Sequence, residues 1–237
     1  MRLDKFLSQL KYGSRNEIKK ACKEGVVKVN DAVIKDASHI IDPMKDVVYY
    51  NDQPVRYFKQ LVLMLNKPKG VVSANHDPIH KTVIDLLPDD YQRYDLAIAG
   101  RLDIDTEGLL ILTNDGSLVH NIIHPKKALY KTYLVQTDKQ ISNIDDLLKP
   151  MTLFDGNQKP YEVLKPKIVD VNNNQAIIQI QEGKFHQVKR MFKKIGYEVI
   201  YLKRIAIHNL ELDESLALGE VKKLTEEDIY KLLQDKD

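Results

Sequence analysis

A chain of 237 residues accommodates one large domain or, more naturally, a small domain joined to a medium one. Its 43% apolar and 30% charged residues support a folded core and argue against wholesale disorder, while no apolar run approaches the roughly 18 residues of a membrane span. The N-terminus lacks the apolar stretch of a signal peptide, and Cys22, the only cysteine, excludes an internal disulfide and any cysteine-built metal site, so a cytoplasmic protein is expected. The net charge of +2 hides an asymmetry, because residues 1–30 hold eight Lys/Arg against three Asp/Glu and residues 211–237 hold four against nine. Local patches of this kind, more than totals, steer nucleic acids.

Leu3, Phe6, Leu7 and Leu10 recur at helical spacing and predict a helix from Leu3 to about Tyr12, stopped at Gly13. Ser14 with Glu17 three positions on is a capping-box signature for a second helix through Ile18, Ala21 and Cys22, whose outer face carries Arg15, Lys19, Lys20 and Lys23. Val26–Val29, the turn Asn30-Asp31 and Ala32–Ile34 read as two short strands, completing a helix–helix–hairpin of about 50 residues. Asn51-Asp52-Gln53-Pro54 breaks the pattern, and the division is set at residues 1–56 and 57–237. The second part alternates strand-like runs (61–65, 109–113, 132–136, 176–181, 199–202) irregularly with helical stretches (117–123, 141–149, 187–195). That irregularity predicts an α+β fold with a mixed or antiparallel sheet, not a doubly wound one.

Three segments carry candidate chemistry. Residues 100–116, GRLDIDTEGLLILTNDG, set three acids before an apolar strand and a fourth, Asp115, after it. Turn chemistry alone accounts for them, but a carboxylate held at a strand end can also be a nucleophile or general base, with Arg101 beside it to fix its position or hold a phosphate. Asp103 and Asp105 superficially resemble the paired aspartates of phosphoryl-transfer enzymes, yet the ten residues to Thr113 leave no room for the crossover that architecture needs. A glycosidase pair sits too close for inverting chemistry. The second segment, residues 182–194, surrounds Phe185, Val188, Met191 and Phe192 with five cations and reads as a solvated basic helix or a phosphate-tracking surface. His186 has no second histidine at ligand spacing, so it is read as a structural residue and no metal is expected. In the third, Tyr130-Lys131-Thr132-Tyr133 is an alternating strand whose tyrosines belong to the core or stack on bases. Asn66-Lys67-Pro68-Lys69-Gly70 is a turn with cations that face solvent or RNA, and Lys126 and Lys127 are further candidates.

Taken together these segments resemble, almost end to end, the bacterial ribosomal RNA pseudouridine synthases of the RsuA type. RLDKFLSQ and VKVNDAVIKDASHII are similar to the RNA-binding module first named from ribosomal protein S-four, and LNKPKG, GRLDIDTEGLLILTNDG, KKALYKTYLV and EGKFHQVKRMF to the ordered motifs of the catalytic domain. The resemblance implies an isomerase, with no cofactor and no metal, that breaks the N-glycosidic bond of one uridine and rejoins the uracil through carbon 5. It makes Asp103 the essential carboxylate, Tyr133 the residue against the uracil, and Lys189 the basic partner, with Arg190 as the fallback. A dry pocket would require such a cation to keep Asp103 ionised. The RNA-contacting set comprises Arg101, Lys67, Arg15, Lys19, Lys20, Lys23 and Arg190. PKKALYKTYLV is closer to the enzymes acting on small-subunit (16S) ribosomal RNA, in an assembly intermediate and as monomers; a 23S enzyme and a non-catalytic assembly factor are the alternatives.

Overall fold

The computed structural model describes residues 1–124 and 129–234. It divides into two compact units, Met1–Gln60 with Pro88–Asp95, and Leu61–Leu87 with Leu96–Asp237. Lys126 and Lys127 lie outside the described residues.

In the first unit α1 (Leu3–Gln9) buries Leu3, Phe6 and Leu7, and with them the Asp4 carboxylate, which receives both the Nε and Nη2 of Arg2 at 3.1 and 2.8 Å. The helix ends sooner than its apolar spacing predicts, because Lys11 adopts φ +57° and turns the chain. The capping box expected at Ser14 is present. Its hydroxyl accepts from the Glu17 amide at 3.3 Å and the Glu17 carboxylate accepts from the Ser14 amide at 2.7 Å, opening α2 (Arg15–Lys23). Ile18, Ala21 and Cys22 are buried, and Arg15, Lys19, Lys20 and Lys23 are all exposed. Then β1 (Val27–Val29), β2 (Ala32–Val33), β3 (Val48–Tyr50) and β4 (Gln53–Pro54) form an antiparallel sheet in the order β2-β1-β3-β4. The short helix α3 (Asp89–Gln92) returns to this unit, where the Tyr91 and Tyr94 rings both meet Phe58 at 6.0 Å.

The second unit is built on one large sheet. Its strands are β5 (Val62–Lys67), β6 (Ala97–Ala99), β7 (Glu107–Thr113), β8 (Lys131–Thr137), β11 (Lys167–Asn172), β12 (Gln175–Ile180), β13 (Val199–Ile207), β14 (Leu210–Glu211) and β15 (Val221–Lys223). A separate hairpin pairs β9 (Thr152–Phe154) with β10 (Pro160–Glu162). The main order is β11-β12-β8-β13-β7-β5-β15, with β6 beside β7 and β14 beside β13. Among the described residues every ladder of this sheet is antiparallel except that of β13 with β7. The expected α+β class with a mixed sheet therefore holds. Val62, Met64, Leu109 and Ile111 on the strands pack with Leu118 and Ile122 of α4 (Gly116–Ile123) and Leu232 of α6 (Glu226–Leu233). Helix α5 (Gln187–Lys194) buries Val188, Met191 and Phe192 and packs on β13 and β9.

The helix expected over 141–149 is only a 3-10 segment, Ile144–Leu148. Pro150 disfavours helical geometry at Lys149, and the Asn143 side chain donates to Asp146 at 2.8 Å instead of capping the backbone. Among the described residues no helix is long and apolar enough to cross a membrane.

Candidate active site

A cleft of about 450 Å³ opens in the second unit, lined by residues 101–104 and Thr106 on one side, by Tyr133, Ile180 and Leu202 of the sheet, and by Gly183–Val188 on the other. Asp103 enters it from the loop between β6 and β7. Five of the carbonyls of that loop, those of Gly100, Leu102, Asp103, Ile104 and Thr106, are held. Arg204 of β13, 1% exposed, donates through Nη2 to Gly100 at 3.0 Å and through Nε to Leu109 at 2.8 Å. Ser73 donates its hydroxyl to the Leu102 carbonyl at 2.8 Å and accepts from the Leu102 amide at 3.1 Å. The Gly70 amide donates to Ile104 at 2.8 Å. Lys67 Nζ donates to the carbonyls of Asp103 at 3.0 Å, Thr106 at 2.9 Å and Pro68 at 3.0 Å.

Lys67 is thus not the solvent-facing phosphate contact expected of it. Its side chain is fully buried, and the three donors of its ammonium all meet backbone carbonyls. Burial lowers its pKa to about 8, against the opposing pull of Asp103, Asp105 and Glu107. Arg204 is a second buried cation that sequence reading passed over, because the apolar run predicted at 199–202 stops short of it.

The Lys189 ammonium lies 3.2 Å from Asp103 Oδ2 and also donates to the Asp105 carboxylate. One cation is therefore shared between two acids. Burial alone would raise the Asp105 carboxyl, but the hydrogen bond and charge of Lys189 hold it below the usual range. Arg190, one position on, turns elsewhere: it donates to the Phe154 carbonyl, and its guanidinium lies 4.8 Å from the centre of the Phe185 ring. Helical geometry separates the two, since neighbours on a helix point about 100° apart. His186, read from the sequence as a structural residue, is a neighbour of the site, with Nε2 3.6 Å from Asp103 Oδ1. Its φ of +50° swings the ring toward the carboxylate and stacks it on Phe185 at 3.9 Å. The turn is supported from within, as Gln187 Nε2 donates to Glu182 at 2.9 Å and the Lys184 amide donates to Gln187 at 3.1 Å. Tyr133, 6% exposed, and Arg101, exposed, line the same cleft. The structure thus brings Asp103, Tyr133, Lys189 and Arg101 together, while Arg15, Lys19, Lys20 and Lys23 belong to the other unit.

This is a fixed carboxylate with a shared counter-ion, in a cleft that a buried tyrosine also lines. A cleft of that size accepts a flat heterocycle whose reacting atom meets the acid, the arrangement that chemistry on an extruded base demands. The family model for RNA pseudouridylate synthase matches residues 61–194, and that for the S4 domain matches residues 1–47. The chain belongs to the RNA pseudouridylate synthase family. The RNA pseudouridine synthase YtzG of Bacillus subtilis is 43% identical, covering 98% of both chains. The ribosomal small subunit pseudouridine synthase A of Escherichia coli K12 is 37% identical over 97% of this chain and 98% of its own. A pseudouridylate synthase of known crystal structure is 34% identical, covering 98% of this chain and 99% of its own, with a TM-score of 0.66. The protein is therefore an RNA pseudouridine synthase, an isomerase, with an RNA-binding S4 domain at its N-terminus.

For a pseudouridine synthase the Lys67 clamp has a measurable consequence. Lys67→Met keeps the volume and removes the donors, so the 103–106 loop relaxes; a displacement of about 1 Å at a reacting group costs on the order of 10²-fold in rate. The expected result is a kcat about 100-fold lower with KM nearly unchanged. The pH dependence separates clamp from stability. Because the folded-state pKa of about 8 lies below the unfolded 10.5, the unfolded chain binds the proton more strongly between those values, and this group's contribution to stability rises with pH across the window. Stability measured against Lys67→Met should therefore rise from pH 8 to 10.5 while turnover falls as the third donor is lost.

Proposed function

We propose that the protein converts one uridine of small-subunit (16S) ribosomal RNA to pseudouridine, acting on an assembly intermediate, with Asp103 as its catalytic carboxylate. The reaction breaks the bond from ribose C1′ to uracil N1 and forms one from C1′ to C5. The hydrogen on C5 leaves to solvent and N1 gains a proton, so no atom is lost or added overall. Asp103 acts at the ribose or the ring, Lys189 counters its charge, and Tyr133 stacks on the uracil. The observation that carries this reading is the Asp103 carboxylate, held by a loop pinned at five carbonyls and paired with Lys189 at 3.2 Å in an open cleft. The choice of 16S RNA is supported by nearly full-length similarity to relatives named ribosomal small subunit pseudouridine synthase A.

The test is release of tritium from uracil C5 in 16S transcript, 23S transcript and small-subunit assembly particles. Release from small-subunit material alone supports the reading. Release from 23S transcript alone reassigns the substrate, and no release from any of them, with tight RNA binding, makes the protein an assembly factor.

The exposed cations of α2 grip phosphates in this reading. Lys19→Ala, Lys20→Ala and Lys23→Ala combined should weaken RNA binding and flatten the slope of log affinity against log salt by about 0.7 for each phosphate contact removed. An unchanged slope across a salt series would assign the grip to the catalytic unit.

A further inference from the structure

Phe6 and Phe192 are buried, but Phe154 and Phe185 are 51% and 48% exposed. The two come from different elements, the β9–β10 hairpin and the loop before α5, and Arg190 joins them by donating to the Phe154 carbonyl while covering the Phe185 ring. The hairpin turn at Gly156 packs against Phe185, close enough that a Cβ there would sit 3.7 Å from it. Phe154 lines a shallow groove with Gln158, Arg190, Lys193 and Lys194. The acids nearby are committed to the hairpin itself: Asp155 accepts from the amides of Asn157 and Lys159, and Glu162 accepts from Thr152. The groove therefore offers cations and an exposed aromatic face, and Arg190 links it to Phe185, which lines the cleft that holds Asp103.

We infer that this groove is a platform for the unpaired RNA strand on one side of the target uridine, with a base stacked on Phe154 and its phosphates on Arg190, Lys193 and Lys194. The inference rests on the catalytic reading above and extends it from the reacting nucleotide to its neighbour. Aromatic faces interleaved with cations are what a single strand requires, because every base has a π-face and every step a phosphate. A paired strand keeps its bases stacked on each other and has nothing to offer Phe154.

The chain contains no tryptophan, so Phe154→Trp introduces a lone fluorophore at the proposed contact. In an Asp103→Asn background, expected to hold RNA without turnover, oligouridylate should quench its emission and a fully paired RNA duplex should not. Phe154→Ala should bind oligouridylate about tenfold more weakly, the size of one base–aromatic stack, and Phe154→Trp should keep the affinity. Lys193→Ala with Lys194→Ala should flatten the salt slope, by about 0.7 per lost contact. Emission unaffected by oligouridylate, with Phe154→Ala within twofold of its parent, overturns the platform and leaves tritium release by the unaltered enzyme untouched. Quenching with no tritium release overturns the catalytic reading and leaves the platform standing.

Discussion

Asp103→Asn is expected to turn over RNA at least about 10⁴-fold more slowly than the unaltered protein, on the scale seen when an enzyme loses its reacting group, while binding RNA within a few-fold of it. Asn is nearly isosteric, so the loop bonds from Lys67, Ser73 and Arg204, all to backbone atoms, persist. What disappears is the carboxylate charge, and Lys189 still has Asp105 as a partner. The ammonium is therefore not stranded, and the fold should lose little. Tritium release and a filter-binding isotherm on the same preparation check both halves. Appreciable pseudouridine formation by the variant would remove Asp103 from the chemistry.

Gly108→Ala is expected to destabilise the protein by more than about 4 kcal/mol, in the range reserved for severe core defects. A Cβ on Gly108 would lie 2.2 Å from the carbonyl oxygen of Arg204 and 2.9 Å from its nitrogen, both backbone atoms of the adjoining strand. Its φ of +103° adds strain that only glycine escapes. Relief requires β7 and β13 to part, and the Arg204 bonds to Leu109 and Gly100 would part with them. Gly116→Ala is the control: nothing lies within 4 Å of its Cβ, it opens α4, and the change should be neutral or slightly stabilising. Urea midpoints for the two variants give the comparison. A Gly108→Ala midpoint close to that of Gly116→Ala would show that the strands can yield.

Much of this architecture was legible in the amino-acid order. The Ser14–Glu17 box, the basic face of α2 and the apolar strand cores within 61–65 and 109–113 depend on neighbours a few residues away, and the local pattern reports them. The buried cations were not legible, since a lysine ending a strand in a turn normally faces water. Lys67 is buried because the backbone of residues 103–106 returns to it 36 to 39 positions later. Strand β11 escaped notice for the opposite reason: it is an edge strand, mostly exposed, with little apolar alternation to betray it. His186 reads as structural because its place beside the site depends on a left-handed turn that no composition rule foresees.

The one parallel ladder among the described residues, Lys203 with Glu107 and Arg204 with Gly108, also orders events in time. Strands β8, β11, β12 and β13 form a block that follows in chain order, interrupted by the separate β9–β10 hairpin. Strands β5, β6 and β7 precede that block, and β15 follows it yet lies beside β5 at the far edge. The cleft takes one wall from the early block and the opposite wall from the later one. A nascent chain leaves the exit tunnel N-terminus first, so the loop bearing Asp103 emerges without Lys189 and without the Arg204 clip. No prefix ending before β13 can contain a finished pocket, because Leu202, which lines the cleft, and Arg204, which pins the Asp103 loop, both lie on that strand.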